Sequence, residues 1–318
     1  MANKITGLHH VTAIASDAQK NVDFYAGILG LRMVKKTVNF DAPDVYHLYY
    51  GNKGGSPGTL ITFFIYPNNF QGRKGKGQLT VTSFSVPASS LGYWMKRLDK
   101  FNISCTKPTE RFVGEEYIYF EDYDGLGIEL VANTVDVREG FSYGHIPPEH
   151  AIKGFYGVLL SQEDYSRTAE LLTSQMNHKL IKEQGNRFRF SPDGKAGDIV
   201  DILSPVNGMP GLVGNGTVHH VAFSTPEDKV QLEVREKLLE NGLYVTPVIN
   251  RQYFRSIYFR EPGGVLFEVA TNPPGMAIDE DPEHLGEELK LPPWEEVNRI
   301  EIEKGLATIS FDIDKFKD

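Results

Sequence analysis

The chain has 318 residues, 40% of them hydrophobic and 24% charged, which is length enough for two domains and too apolar for extended disorder. A formal net charge of −9 without a long basic block disfavours a nucleic-acid partner, and the best apolar run, 59–66, has strand length rather than membrane-spanning length. The single cysteine, Cys105, excludes an intrachain disulfide and thiolate metal sites, and the opening Met-Ala-Asn-Lys carries no basic-then-apolar leader, so a cytoplasmic protein handling a small molecule is expected.

Residues 5–15 read as a strand. Ser16 and Asp17 then offer a cap, and Val22, Tyr25 or Ala26, and Leu29 recur at helical spacing before Gly30 supplies a left-handed stop. Three strand-like runs follow, 31–40, 45–51 and 59–66, with a Gly- and Pro-bearing turn before the last. After a Gly- and Lys-rich loop the same order begins again. The second unit has a strand over 78–86, a helix capped by Ser89 with Leu91, Trp94 or Met95, Leu98 and Phe101 on one face, and strands near 103–106, 116–122 and 127–132. A linker bearing Tyr143, Gly144, Pro147 and Pro148 precedes the third unit: a strand over 154–160, a helix near 163–175, and strands near 178–181, 187–191 and 198–204. The insert 206–216 leads to the fourth: a strand over 217–224, a helix opened by Pro226 and closed at Gly242, and strands over 243–250, 255–260 and 265–270. Four copies of one strand-helix-three-strand unit make a repeat architecture whose units bury their open faces only by pairing.

The repeat is visible in residue types. T-V-H-H-V-A-F-S at 217–224 matches G-L-H-H-V-T-A-I at 7–14, and 117–133 aligns without a gap on 256–272, which sets Glu129 on Glu268. Alternate strand side chains face opposite sides. Val221 and Phe223 therefore turn His219 toward the helices with them and leave His220 opposite, and the first copy likewise separates His9 from His10. One histidine pair alone could be a satisfied core feature; two pairs at matching places point to His10 and His220 as ligands in one cavity.

Each unit offers two inward positions: His10 and Thr62, Val81 and Glu129, Gly157 and Asp201, His220 and Glu268. Pairing the first unit with the fourth collects two imidazoles and a carboxylate, the donor set associated with non-haem Fe(II), with positions left open for substrate and dioxygen. Thr62 supplies no fourth strong ligand, which would favour a redox-inert metal acting as a Lewis acid. Pairing the second with the third gives two acids and no imidazole, and Glu129 and Asp201 read as carboxylates on an exposed sheet face. Glu268 differs, because Phe267 and Val269 bury the opposite face and an inward carboxylate needs a cation or donors.

The units, the strand histidines and the closing glutamate resemble the vicinal oxygen chelate superfamily of glyoxalases, bleomycin-resistance proteins and extradiol dioxygenases. Within it, G-L-H-H-V-T, V-Y-H-L-Y-Y-G at 45–51, V-H-H-V-A-F at 218–223 and F-R-E-P-G-G-V-L-F-E-V-A at 259–270 resemble the ring-cleaving dioxygenases that open para-hydroquinones. The likeness covers roughly residues 4–290 and is most specific in the ligand-bearing strands. It implies an α+β fold of four βαβββ modules in two tandem glyoxalase-like domains, with open mixed β-sheet barrels and helices outside. The divisions expected are 1–135, a linker 136–152, 153–272, and a tail 273–318 serving as a lid over the cavity or a homodimer contact.

The resemblance further implies Fe(II) on His10, His220 and Glu268, with a small aromatic diol and O2 as partners and detoxification of quinol compounds as the setting. His9, His219, Arg251 and Tyr258 match the family's catalytic surroundings, and Thr12, Arg251 and Tyr258 its substrate contacts. Strand alternation turns His9 and His219 away from such a cavity, so these roles require a bulge or a twist of the strand. A glyoxalase-type isomerase or lyase on the same fold would want a fourth ligand at Thr62, and a non-enzymic aromatic-binding resistance protein would need no paired histidines. His47, His145, His150, His178 and His284 lack partners at matching positions and read as structural or surface residues.

Overall fold

Each unit folds as one strand, a helix and further strands, and leaves one sheet edge that its own residues do not cover. In a computed structural model describing residues 5–317, those edges join in pairs. The amino-terminal tetrapeptide read for a leader lies outside the described residues. The strands are β1 (Leu8–Ala15), β2 (Arg32–Asn39), β3 (Ala42–Gly51), β4 (Leu60–Ile65), β5 (Gln78–Pro87), β6 (Thr109–Arg111), β7 (Glu115–Glu121) and β8 (Gly127–Asn133). They continue as β9 (Gly154–Ser161), β10 (Lys179–Gln184), β11 (Arg187–Ser191), β12 (Ile199–Leu203), β13 (Thr217–Thr225), β14 (Ile249–Asn250), β15 (Arg255–Arg260) and β16 (Leu266–Thr271).

One eight-stranded sheet runs β14-β15-β16-β13-β1-β4-β3-β2 and so unites the fourth unit with the first; the other runs β10-β11-β12-β9-β5-β8-β7-β6 and unites the third with the second. Both are curled mixed sheets, and the joints are the antiparallel pairs β1 with β13 and β5 with β9. Each sheet therefore draws one unit from either half of the chain.

The helices are α1 (Ala18–Val22), α2 (Leu91–Lys100), α3 (Ser166–Ser174), α4 (Asp228–Glu240) and α5 (Arg299–Gly305). Asp17 caps α1, accepting from the Lys20 N–H at 2.9 Å, and α1 loosens into a π-turn over Asp23–Ile28 before Gly30 at φ +70°. Helix α4 lays Val230, Val234 and Leu238 on the outer face of its sheet, against the side that carries Val221, Phe223, Phe267 and Val269. With that face closed, His220 and Glu268 are left on the other. At α2 the capping position belongs to Ser90 rather than Ser89, and the Ser90 hydroxyl donates to the Glu149 carbonyl at 3.2 Å instead of capping the helix.

Two expected strands are cut short by proline, which has no N–H for the ladder. The strand near 103–106 is a lone bridge, Cys105 with Phe120, and pairing resumes as β6 only after Pro108. The strand over 243–250 shrinks to Ile249–Asn250 beyond Pro247, although the Thr246 N–H still donates to the Tyr258 carbonyl at 3.0 Å.

The tail wraps the first unit. The buried Lys35 ammonium meets Asp279 at 2.6 Å and also Glu280, and Arg32 donates to the carbonyls of Pro282 and Glu283 at 2.9 and 2.6 Å. Farther on, Trp294 packs edge-on to Phe40 and the Tyr46 hydroxyl donates to the Ala307 carbonyl at 2.9 Å. Among the described residues no helix is long and apolar enough to cross a membrane.

Candidate metal centre and active-site cavity

Because β1 and β13 pair at the joint of the first sheet, the two histidine pairs arrive side by side. His10 Nε2 and His220 Nε2 are 3.1 Å apart, and Glu268 Oε2 lies 3.3 Å from the first and 3.0 Å from the second. Among the described residues this is the one group of three His, Cys, Asp or Glu side chains able to share an ion, and all three are buried. Ligand bonds of about 2.1 Å at right angles separate neighbouring donor atoms by about 3 Å. The spacing thus fits a triad on one face of an ion.

The carboxylate gives an independent test. Glu268 Oε1 accepts from the Ser256 hydroxyl, whereas Oε2 has no hydrogen-bond donor. A buried carboxylate oxygen with no donor is costly unless a cation meets it. Burial alone would raise this carboxyl, but His10 and His220 outweigh it and hold the group well below the usual carboxylate range. The group is an anion facing two imidazole nitrogens.

The alternation forecast for the adjacent histidines is broken by two bulges. Along β1, Leu8 pairs with Phe223 and His10 with Ala222, so His9 is the extra residue; along β13, Thr12 pairs with His220 and Ala13 with Val218, so His219 is. A bulge re-aims its side chain. His9 Nδ1 comes to 2.9 Å from His10 Nδ1, and His219 Nδ1 to 2.8 Å from His220 Nδ1. Burial first, then the neighbouring histidine, push both His9 and His219 down to about 3, so each is neutral at pH 7 and accepts through Nδ1 when its one proton sits on Nε2. An ion at the centre would take the Nε2 lone pairs of His10 and His220 while their Nδ1 atoms face His9 and His219, the arrangement a metal-binding imidazole needs.

The centre opens into a cavity of about 1070 Å³ whose walls include His10, His219, His220, Arg251, Phe254 and Tyr258. Tyr258 is the cross-strand partner of Glu268, and Arg251 follows β14 directly. Arg251 Nε donates to the Tyr258 hydroxyl at 3.1 Å while Nη1 pairs with Asp41 Oδ2 at 2.9 Å. Burial, then Glu268, raise the Tyr258 phenol well above its ordinary value, so it keeps its proton at neutral pH. His9 and Thr12 do not line the cavity: His9 is enclosed by His10 and Phe254, and Thr12 Oγ1 lies 2.7 Å from Thr62 Oγ1.

His47, read as structural or surface for want of a matching partner, stands beside the triad. It lines the cavity, its Nε2 stands 2.8 Å from Thr62 Oγ1, and the Tyr49 hydroxyl is 3.0 Å from its Nδ1. The repeat held the signal: Tyr49 faces Thr62 across β3 and β4 as Tyr258 faces Glu268 across β15 and β16. Aligning third strands, as well as first and last, exposes both residues.

The second sheet corrects the reading of Glu129 and Asp201 as exposed. Both are buried, at 3% and 2% exposure, and neither awaits an ion. Arg111 Nη1 meets Glu129 at 2.6 Å, and Arg189 holds Asp201 through Nε at 2.7 Å and Nη2 at 2.9 Å.

Fold and centre together define a class, and the comparisons agree. Residues 7–130 and 154–269 match the model of the Glyoxalase/Bleomycin resistance protein/Dioxygenase superfamily, and the chain belongs to that superfamily. It is 47% identical to "Putative ring-cleaving dioxygenase MhqO" of Bacillus subtilis, over 96% of this chain and 97% of that one. It is 35% identical to "Chlorohydroquinone/hydroquinone 1,2-dioxygenase" of Sphingobium indicum, over 92% and 93%. A crystal structure of a Bacillus subtilis protein, 46% identical, superposes with a TM-score of 0.91 over 98% of this chain and 99% of its own. Maize glyoxalase I, 14% identical with a TM-score of 0.62 over 84% and 92%, shares the fold. The relatives support a dioxygenase function.

Proposed function

We propose that the chain is a non-haem Fe(II) dioxygenase that inserts O2 into the ring of a hydroquinone-type diol and opens it. One observation carries the reading: His10, His220 and Glu268 converge on one point, Glu268 Oε2 has no donor there, and the point opens on an aromatic cavity. The names of the relatives supply the substrate class. His10, His220 and Glu268 would hold the Fe(II), which would supply the means for a ring oxygen and dioxygen to meet and exchange charge.

The chain's own groups do the rest. Tyr258 accepts from Arg251 and so has its own O–H free to donate to a ring oxygen, and the Arg251 cation steadies negative charge that develops there. With its one proton on Nε2, His219 accepts at Nδ1 and offers the Nε2–H to a second oxygen in the cavity. Phe254 and Tyr49 give the ring an aromatic wall that displaces water.

Protein loaded anaerobically with Fe(II) is expected to consume one O2 per hydroquinone in an oxygen electrode, and the same protein loaded with Zn to consume none. Isomerisation of a substrate without oxygen uptake, or full activity after iron is chelated away, overturns the reading. Tyr258→Phe is expected to lower kcat about a hundredfold or more, the usual scale for one positioned proton donor, with iron content unchanged by metal analysis.

Thr62 bears on the isomerase alternative. It occupies the place in the first unit that Glu268 holds in the fourth. Thr62→Glu sets a second carboxylate against the ion and closes the open side, so oxygen uptake is expected to fall at least a hundredfold while divalent metal is retained. Undiminished oxygen uptake by that variant means that the open side lies elsewhere.

A further inference from the structure

A second cavity, of about 570 Å³, lies away from the metal centre. Its wall draws on the start of β2, Lys53 beyond β3, the linker at Phe141 and Tyr143, and two stretches of the tail, 283–287 and 309–311. It shares no lining residue with the first cavity. Arg32 lines one and Asn39 the other at opposite ends of β2, and seven strand steps span about 23 Å.

The buried cation of this wall lacks an anion. Arg32 is 5% exposed, and among the described residues its hydrogen bonds go to carbonyls: Nη1 donates to Lys53 and Pro282 at 2.6 and 2.9 Å, and Nη2 to Glu283 at 2.6 Å. A guanidinium has N–H groups to spare beyond these, on Nε and on Nη2. Carbonyls satisfy donors but leave a buried charge uncompensated. The other charged groups of the wall have partners of their own. Glu283 pairs with Lys53 at 2.9 Å, Glu287 Oε2 lies 3.1 Å from His284 Nδ1, and Lys36 donates to the Glu287 carbonyl at 2.9 Å.

A second donor and an aromatic surface stand beside Arg32. The Tyr143 hydroxyl accepts from the Met33 N–H at 2.9 Å, and burial pushes its phenol up to about 12, so the proton it keeps at neutral pH is available to an acceptor in the cavity. The Tyr143 ring is edge-on to Phe141 at 5.1 Å between centroids and tilted against Phe311 at 4.9 Å, and the Arg32 guanidinium lies 5.9 Å from the Phe141 ring. Val22, Met33, Leu285 and Ile309 add apolar surface, and Ser310 stands exposed at the edge.

We propose that this cavity binds an aromatic monocarboxylate, with the carboxylate on Arg32 and the Tyr143 hydroxyl and the ring among Phe141, Tyr143 and Phe311. A guanidinium edge and a carboxylate match as a two-bond pair, and the pairing supplies the anion that Arg32 lacks. A second negative charge on the ligand would meet Glu283 and Glu287, so one carboxylate is the limit. The site is independent of the ring-cleavage reading and stands or falls without it. A ligand there ties the start of β2 to both tail stretches.

The test is calorimetry on the full chain with Fe(II) bound, under nitrogen. Benzoate is expected to saturate one site, with benzamide, acetate and terephthalate at least about tenfold weaker, the scale of one charge-assisted hydrogen bond or of burying part of a ring. Any of the three binding as tightly as benzoate overturns the assignment, and so does the absence of benzoate binding. Ser310→Trp fills the cavity from an exposed tail position and is expected to weaken benzoate at least about tenfold with iron content unchanged. Arg32→Gln is expected to do the same, and if it fails to fold Ser310→Trp decides. Benzoate bound undiminished by Ser310→Trp sits elsewhere, on the metal or beside Arg251, and the assignment falls.

Discussion

Glu268→Gln is expected to weaken iron retention by more than a hundredfold and to abolish oxygen uptake while leaving the fold intact. The amide keeps the volume of the carboxylate, and its oxygen still accepts from Ser256 as Glu268 Oε1 does. What it loses is the charge at Oε2, the atom that has no donor and lies within 3.3 Å of the His10 and His220 imidazoles. Losing a group that merely orients a ligand costs about 10–100-fold in metal affinity, so a larger loss marks Glu268 as a ligand. His220→Ala is expected to match it.

Thermal unfolding separates ligation from stability. His10 and His220 hold Glu268 well below the usual carboxylate range, so its charge adds stability that the amide lacks, and metal-free Glu268→Gln is expected to melt lower than metal-free wild type. Iron stabilises only a state that binds it, so adding it is expected to raise the wild-type Tm and leave the variant's unmoved. A variant that retains iron normally would remove Glu268 from the centre.

These residues were legible because the repeat let the sequence be read against itself. The H-H pairs at 9–10 and 219–220, and the register that lays Glu129 on Glu268, name the inward positions without coordinates. Strand alternation sets His10 and His220 on one face, and these two imidazoles are the ones that meet Glu268, but alternation is a rule for unbulged strands. The extra residues at His9 and His219 are set by tertiary pairing of β1 with β13, to which a single strand's pattern is blind. Pro108 and Pro247 each remove one ladder donor and interrupt pairing in a stretch that composition favours as strand. His47 escaped because its significance comes from Thr62, a residue chosen for lacking a ligand atom, and hydroxyl partners leave no spacing signature. Arg111 and Arg189 escaped for a related reason. Charged side chains on sheet strands usually mean solvent, and only the union of the second unit with the third buries them.

That buried network yields the other large effect: Glu115→Gln is expected to cost about 3 kcal/mol of stability at pH 7. Glu115 accepts from Arg111 Nε at 2.6 Å, from Arg189 Nη1 and Nη2 at 2.5 and 2.8 Å, and from the Tyr156 hydroxyl at 2.5 Å. Burial alone would raise this carboxyl, but the Arg189 hydrogen bonds and charge, then Arg111, outweigh it and bring it from 4.5 down to about 2. A difference of that size is worth about 3 kcal/mol by linkage. Because the folded value is the lower one, the contribution is fully present above about pH 5 and is lost as pH falls through 4.5 toward 2. Urea unfolding from pH 7 to pH 2 is therefore expected to show wild type losing stability steeply below pH 5 and the variant losing about 3 kcal/mol less over the same span.

The comparison between the sheets explains the arrangement. Arg189 faces Asp201 across β11 and β12 at the register where Tyr258 faces Glu268, so one site neutralises its carboxylate with a guanidinium and the other leaves Glu268 Oε2 without a donor. Removing one member of such a network strands the charges around it, whereas removing opposed members together does not. Arg189→Met alone is accordingly expected to cost more than Glu115→Gln alone, and the double variant less than the sum of the two. Strict additivity in that cycle would show that Arg189 and Glu115 do not act as a pair.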